Sequence, residues 1–160
     1  MKLDDAGRER LAFLARVVSG ECRNLLATDQ RLFVQVFTPQ QASSLAESLE
    51  LAERVDAFVA RFSRLQDTLG DKLLPALLNA LGEDRATLVD RLDLAEKLGW
   101  IDSSEEWMSI RLLRNQMIHE YIEDPEVLAA ALQAGHESVR ILVAAADRML
   151  AEMWARRWIE

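Results

Sequence analysis

Leu11, Leu14, Val18, Cys22 and Leu25 recur at intervals of three and four, the repeat of a helix with one apolar face, while Arg8, Glu9, Arg16, Glu21 and Arg23 fall on the other face. With Asp4 or Asp5 as N-cap, this spacing predicts a first helix to about Thr28. The run Leu32, Phe33, Val34, Val36, Phe37 is too short for periodicity to separate strand from helix, and its helical surroundings favour continued helix. Thr38-Pro39 marks a restart, and Leu45, Leu49, Ala52, Val55, Val59, Phe62 and Leu65 predict a long second helix from about Gln40 to Leu69. Gly70 and Pro75 predict a break or kink, followed by a short leucine-rich segment from Leu73 to Leu81 that Gly82 closes. A third major helix is expected from about Asp84 to Leu98, on Leu88, Leu92 and Ala95, with Gly99 ending it. Ser103 with Glu106 has the form of a capping box, opening a helix whose buried stripe is Trp107, Ile110, Leu113, Met117 and Tyr121. Asp124-Pro125 ends that helix and caps a last one reaching about Arg157, where Ala131, Ala134 and Ala146 allow close approach.

Composition turns these elements into a fold class. With 160 residues, 50% hydrophobic, and only six Gly and three Pro, the chain predicts a single all-α domain over residues 1–160. The expected architecture is an antiparallel bundle of about five principal helices. A net charge of -8 argues against broad nucleic-acid affinity, so any RNA contact must be local. The single cysteine, Cys22, lies on the apolar ridge of the first helix and reads as a small buried hydrophobe in a reducing compartment. With two histidines, His119 and His136, and no acidic pair at metal-ligand spacing, neither a metal nor a cofactor is expected. No apolar run of membrane-spanning length and no signal peptide stand out, so the expectation is a cytoplasmic protein with no membrane partner.

The candidate chemistry is confined to Arg111–Pro125, RLLRNQMIHEYIEDP, which puts Arg114, Asn115, His119 and Tyr121 within eight positions. A permanently charged guanidinium fork matches two phosphate oxygens and can steady the extra charge of a transition state. Histidine can take a proton and return it. Ribonucleic acid carries its own nucleophile, the 2′-hydroxyl, so an Arg and a His suffice for cleavage without a metal, with Asn115 and Arg111 supporting. At about 100° per residue, however, Arg114 and His119 sit roughly 140° apart on one helix. Either the long arginine reaches round the helix, or two copies meet across a two-fold axis so that residues of both subunits converge, and the second is favoured.

The string Arg114-Asn115, three residues, His119, one residue, Tyr121 resembles the RNxxxHxY motif of HEPN-domain proteins, particularly the HepT-like ribonuclease toxins. The resemblance implies a helical bundle, a homodimer with the motif lining a cleft at the interface, and metal-independent RNA cleavage by Arg114 and His119. It also implies a partner, a minimal nucleotidyltransferase antitoxin that silences the toxin by attaching AMP to Tyr121. The match is specific over these eight positions; elsewhere only the helical layout corresponds.

Plainer readings exist for each residue. His119 near a helix end is compatible with a solvated, dipole-favoured histidine, Arg111 and Arg114 with surface ion pairs, and Tyr121 with a core aromatic. A second class of function is a non-catalytic helical subunit that docks substrate to a nucleotidyltransferase. Asp67 would reach the active cleft if the second helix packed beside the motif helix. In the tail, Trp154 and Trp158 stand beside Arg156 and Arg157; burial against the bundle end is favoured over stacking on RNA bases.

Overall fold

The computed structural model describes residues 3–119 and 124–160, and the described residues are helical with no strand among them. Seven α-helices follow in order: α1 (Asp5–Leu32), α2 (Pro39–Ser43), α3 (Leu49–Asp67), α4 (Leu74–Ala80), α5 (Leu88–Lys97), α6 (Ser104–His119) and α7 (Pro125–Ala155), with a π-helical stretch, Thr68–Leu73, joining α3 to α4. The all-α bundle expected from composition is therefore observed. α1, α3, α5, α6 and α7 are its principal members, with α2 and α4 as shorter pieces.

Local chemistry accounts for most boundaries. Asp4 caps α1 by accepting from the Gly7 amide at 2.7 Å. Thr38 and Gln41 form a reciprocal capping box around Pro39, and Asp124 accepts from the amides of Glu126 and Val127 ahead of Pro125. Gly99 adopts φ 79° and lets the Trp100 amide return to the Ala95 carbonyl, ending α5 and delivering Trp100 into the core. α7 closes the same way with Arg157 at φ 56°, which turns Trp158 and Ile159 back onto the bundle.

Four expectations need correction or refinement. The helix expected over Gln40–Leu69 is two helices, because the Ser44 hydroxyl bonds back to the Gln41 carbonyl and Ser48 caps a fresh start at Leu49. The break or kink expected between Leu69 and Pro75 takes the form of a π-helical turn, not a loop, and its widened register precedes Pro75, the residue that cannot donate to the helix ladder. α5 begins at Leu88 under a Thr87 cap rather than at Asp84. α1 continues to Leu32, past the expected Thr28, and the chain then leaves the helix, with Val34 and Val36 exposed and Phe37 buried.

The core lies where α1, α3, α6 and α7 meet. Residues in register show the packing to be antiparallel: Thr28 of α1 meets Arg61 of α3 and Glu21 meets Thr68 just past its end, while Asp29 meets His136 of α7 and Arg8 meets Arg157 just past its end. Val55, Phe58, Phe62 and Leu65 of α3 are fully buried, as are Leu132, Leu142 and Ala146 of α7. Gly135 lets α7 come close to its neighbours: a Cβ there would stand 3.1 Å from the Met117 sulfur and 3.2 Å from the Phe58 ring. By length and composition α7 would also suffice to cross a bilayer, contrary to the expectation that no apolar run reaches that length, yet here it packs against α1, α2, α3 and α6. Its alanines serve close helix packing.

Candidate functional site

α6 is the helix on which the candidate residues stand. Ser103 accepts from the Glu106 amide at 3.1 Å, and Glu96 reaches from α5 to accept from the Ser104 amide at 2.9 Å. Trp107, Ile110 and Met117 form its buried stripe. Trp107 lies along the π-helical turn, its indole nitrogen 3.5 Å from where a Cβ on Gly70 would be. Met108 and Leu113 are half-buried beside that stripe, and the opposite face is open, with Leu112 at 65% exposure and Ile118 at 42%.

Arg114 is tied to α3. Its guanidinium donates to Asp67 at 3.0 Å, and the pair is partly shielded, the arginine side chain retaining 26% exposure and the aspartate 45%. Asp67 is thus the residue beside the motif that the sequence indicated only through helix order. The Arg114 Nε is buried without a hydrogen-bond partner among the described residues. Held by Asp67 at one end, the guanidinium cannot swing freely, and an incoming phosphate must share it with that carboxylate.

Arg111, one turn earlier, lines a crevice with Gln66, Asp67, Asp71 and Trp107 whose free volume, about 10 Å³, admits no more than a water. Gln66 is buried there with both side-chain polar atoms lacking partners among the described residues. Asn115 is exposed. A wider groove of about 510 Å³ runs between α6 and α7, floored by Ile110, Leu113 and Ile141 and rimmed by Glu106, Glu137 and Arg140.

His119 is the last residue of α6, on the same uninterrupted helix as Arg114 and five positions beyond it, so the roughly 140° separation of the two positions stands. The expectations for the His119 imidazole and for Tyr121 lie outside the described residues. The other histidine, His136, accounts for itself structurally. Its Nδ1 lies 2.7 Å from the Asp29 carboxylate and its ring stacks on Phe33 at 4.4 Å, pinning α7 to the end of α1.

Two titratable groups near the π-helical turn depart from ordinary values. Burial raises the Glu21 carboxyl, with Asp67 adding to it, while the hydrogen bond from Thr68 and the charges of Arg64 and Lys72 pull the other way. Burial, followed by the charges of Asp147 and Glu21, pushes the Cys22 thiol up to about 11, so Cys22 is a packing residue and a poor nucleophile at neutral pH. Among the described residues no group of three or more His, Cys, Asp and Glu side chains converges. Comparison of the chain with family models, with curated proteins and with solved structures gave no significant match.

Proposed function

We propose that the chain is a HEPN-like, metal-independent endoribonuclease of the cytoplasm, the toxin of a pair whose antitoxin is a minimal nucleotidyltransferase. One observation carries this reading: the Arg114-Asn115-x3-His119 part of the string sits on one helix, and its arginine is already oriented by a carboxylate from a neighbouring helix. In the proposed reaction the substrate's 2′-hydroxyl attacks the adjacent phosphorus. Its proton goes to one imidazole, and a second proton reaches the departing 5′-oxygen, leaving a cyclic phosphate and a 5′-hydroxyl. Arg114 holds the charge that builds on the non-bridging oxygens, and Asp67 fixes the plane of its fork. Asn115 and Arg111 assist at the edge of the site.

One helix does not bring Arg114 and His119 to the same side, so the reading calls for a homodimer in which the two α6 helices face each other. Exposed Leu112 and Ile118, together with the apolar floor of the α6–α7 groove, support such an interface. Two imidazoles would then stand near one phosphate, one as base and one as acid. AMP attached to Tyr121 would place a phosphate among the arginines intended for substrate.

His119→Ala should lower cleavage of a single-stranded RNA by about 10²- to 10⁴-fold while leaving helicity by circular dichroism unchanged. Cleavage at the parent rate by that variant eliminates the enzymatic reading. The rival, a non-catalytic docking subunit for a nucleotidyltransferase, draws on the acidic surface. It predicts instead that the parent protein leaves RNA intact while raising the activity of the partner.

A further inference from the structure

The far end of the bundle carries a second constellation that the motif does not use. Between the first half of α1 and the end of α7 lies an open groove of about 470 Å³, lined by Arg16, Ser19, Arg23, Leu150, Trp154 and Glu160 among others. It is centred roughly 20 Å along α7 from the groove that α7 forms with α6. We propose that this groove binds a short segment of single-stranded nucleic acid, stacking a base on Trp154 and holding flanking phosphates with Arg16 and Arg23.

Trp154 retains 55% exposure, although the same turn that ends α7 folds Trp158 and Ile159 back onto the core. A tail able to bury one indole leaves the other open beside a groove. Arg16 and Arg23 are seven residues apart on α1, two turns of one face, about 10 Å along the axis. Gly20 leaves the helix bare beneath Arg23, whose guanidinium nitrogen lies 3.8 Å from where a Cβ on Gly20 would be, so the arginine lies back over that face. Neither arginine forms an ion pair among the described residues, whereas Arg148 is taken by Asp102 and Arg156 by Glu152. Two uncommitted guanidinium groups around an open indole, in a chain of net charge -8, form the local cationic and stacking surface that a single strand requires.

An open groove with Ser19 as its neutral hydrogen-bonding side chain suits a strand that continues past it and is held without sequence preference, rather than an enclosed free nucleotide. Glu160 on the rim opposes the phosphates. The site is separate from the proposed cleavage chemistry, which it would serve by retaining RNA on an otherwise acidic protein.

The test is fluorescence anisotropy of a labelled eight-nucleotide DNA strand, which lacks the 2′-hydroxyl that cleavage needs and so reports on the groove whether or not the motif is catalytic. Trp154→Ala should weaken binding roughly 5- to 150-fold. Arg16→Ala and Arg23→Ala should each flatten the dependence of log affinity on log salt by about 0.7. Glu160→Gln should tighten binding. All four positions are solvent-accessible, and circular dichroism should confirm unchanged folds. Four results would overturn the proposal: undiminished binding by Trp154→Ala, AMP binding as tightly as the strand, inorganic polyphosphate competing as well as the strand, or a self-association lost in Trp154→Ala in a protein that binds no strand.

Discussion

α3 and α6 are neighbours with opposite uses of their side chains. On α3, Val55, Phe58, Phe62 and Leu65 all reach complete burial, and its polar residues at the α6 side are either buried, as Ser63 and Gln66 are, or committed, as Asp67 is. On α6 the buried stripe is thinner, Trp107, Ile110 and Met117, and large apolar residues point out at Leu112 and Ile118. α3 spends nearly all its large apolar side chains on the core, its first residue, Leu49, being the exception at 74% exposure. A helix that keeps an amide and exposed aliphatics on its outer face, with its arginines at the seam to α3, contributes less to the core and is free to meet something else. The contrast separates scaffold from site.

The largest effect expected is on the scaffold side. Phe58→Ala removes a ring that packs against Phe33, Phe62 and the Gly135 notch, and should cost about 3–5 kcal/mol in denaturant unfolding. A loss under about 1 kcal/mol would break the distinction between the two helices. Asp67→Ala leaves Arg114 without its carboxylate and should cost about 1 kcal/mol, since the pair is partly exposed. The same variant should change the affinity for RNA, in a filter-binding or anisotropy measurement, far more than it changes stability. Leu112→Ser should alter monomer stability by no more than about 0.5 kcal/mol. It should nonetheless shift sedimentation towards monomer if the two α6 helices pair.

The smallest effect sharpens the picture at the junction of α1 and the π-helical turn. The folded protein binds the Glu21 proton more tightly than the unfolded chain does, because burial raises that carboxyl. Its contribution favours folding fully below the unfolded value, and that advantage is lost as pH rises through the raised folded value. Glu21→Gln should therefore be the more stable protein at neutral pH, and its melting temperature should vary less with pH on the alkaline side of the ordinary carboxylate range. An unchanged pH profile would show Glu21 to be well hydrated.

Much of the candidate site was legible in the motif's spacing, since Arg114, Asn115 and His119 all fall on one helix where periodicity placed them. The carboxylate that holds Arg114 was visible only as Asp67's place near the end of a preceding helix, because the contact joins residues 47 apart. Nor did the tail's composition reveal that Trp158 would fold inward and Trp154 remain open. That division follows from Arg157 adopting a left-handed turn, and no glycine advertises it.

Many helix starts and stops were written in the chain because the deciding interaction spans three to five residues, although the equally local Thr87 cap of α5 did not stand out. Asp4, Thr38, Ser103, Asp124 and Gly99 satisfy backbone groups of their own segments and need no neighbour. Where several local solutions compete, as at Ser44 to Ser48 and from Thr68 to Pro75, the sequence left the path open. The contacts across the bundle were beyond the sequence: Trp107 against the π-helical turn, Met117 and Phe58 against Gly135, and Arg114 against Asp67. Contacts between residues far apart in sequence exist only once the helices have docked, and they decide which polar groups end up facing solvent and which face each other.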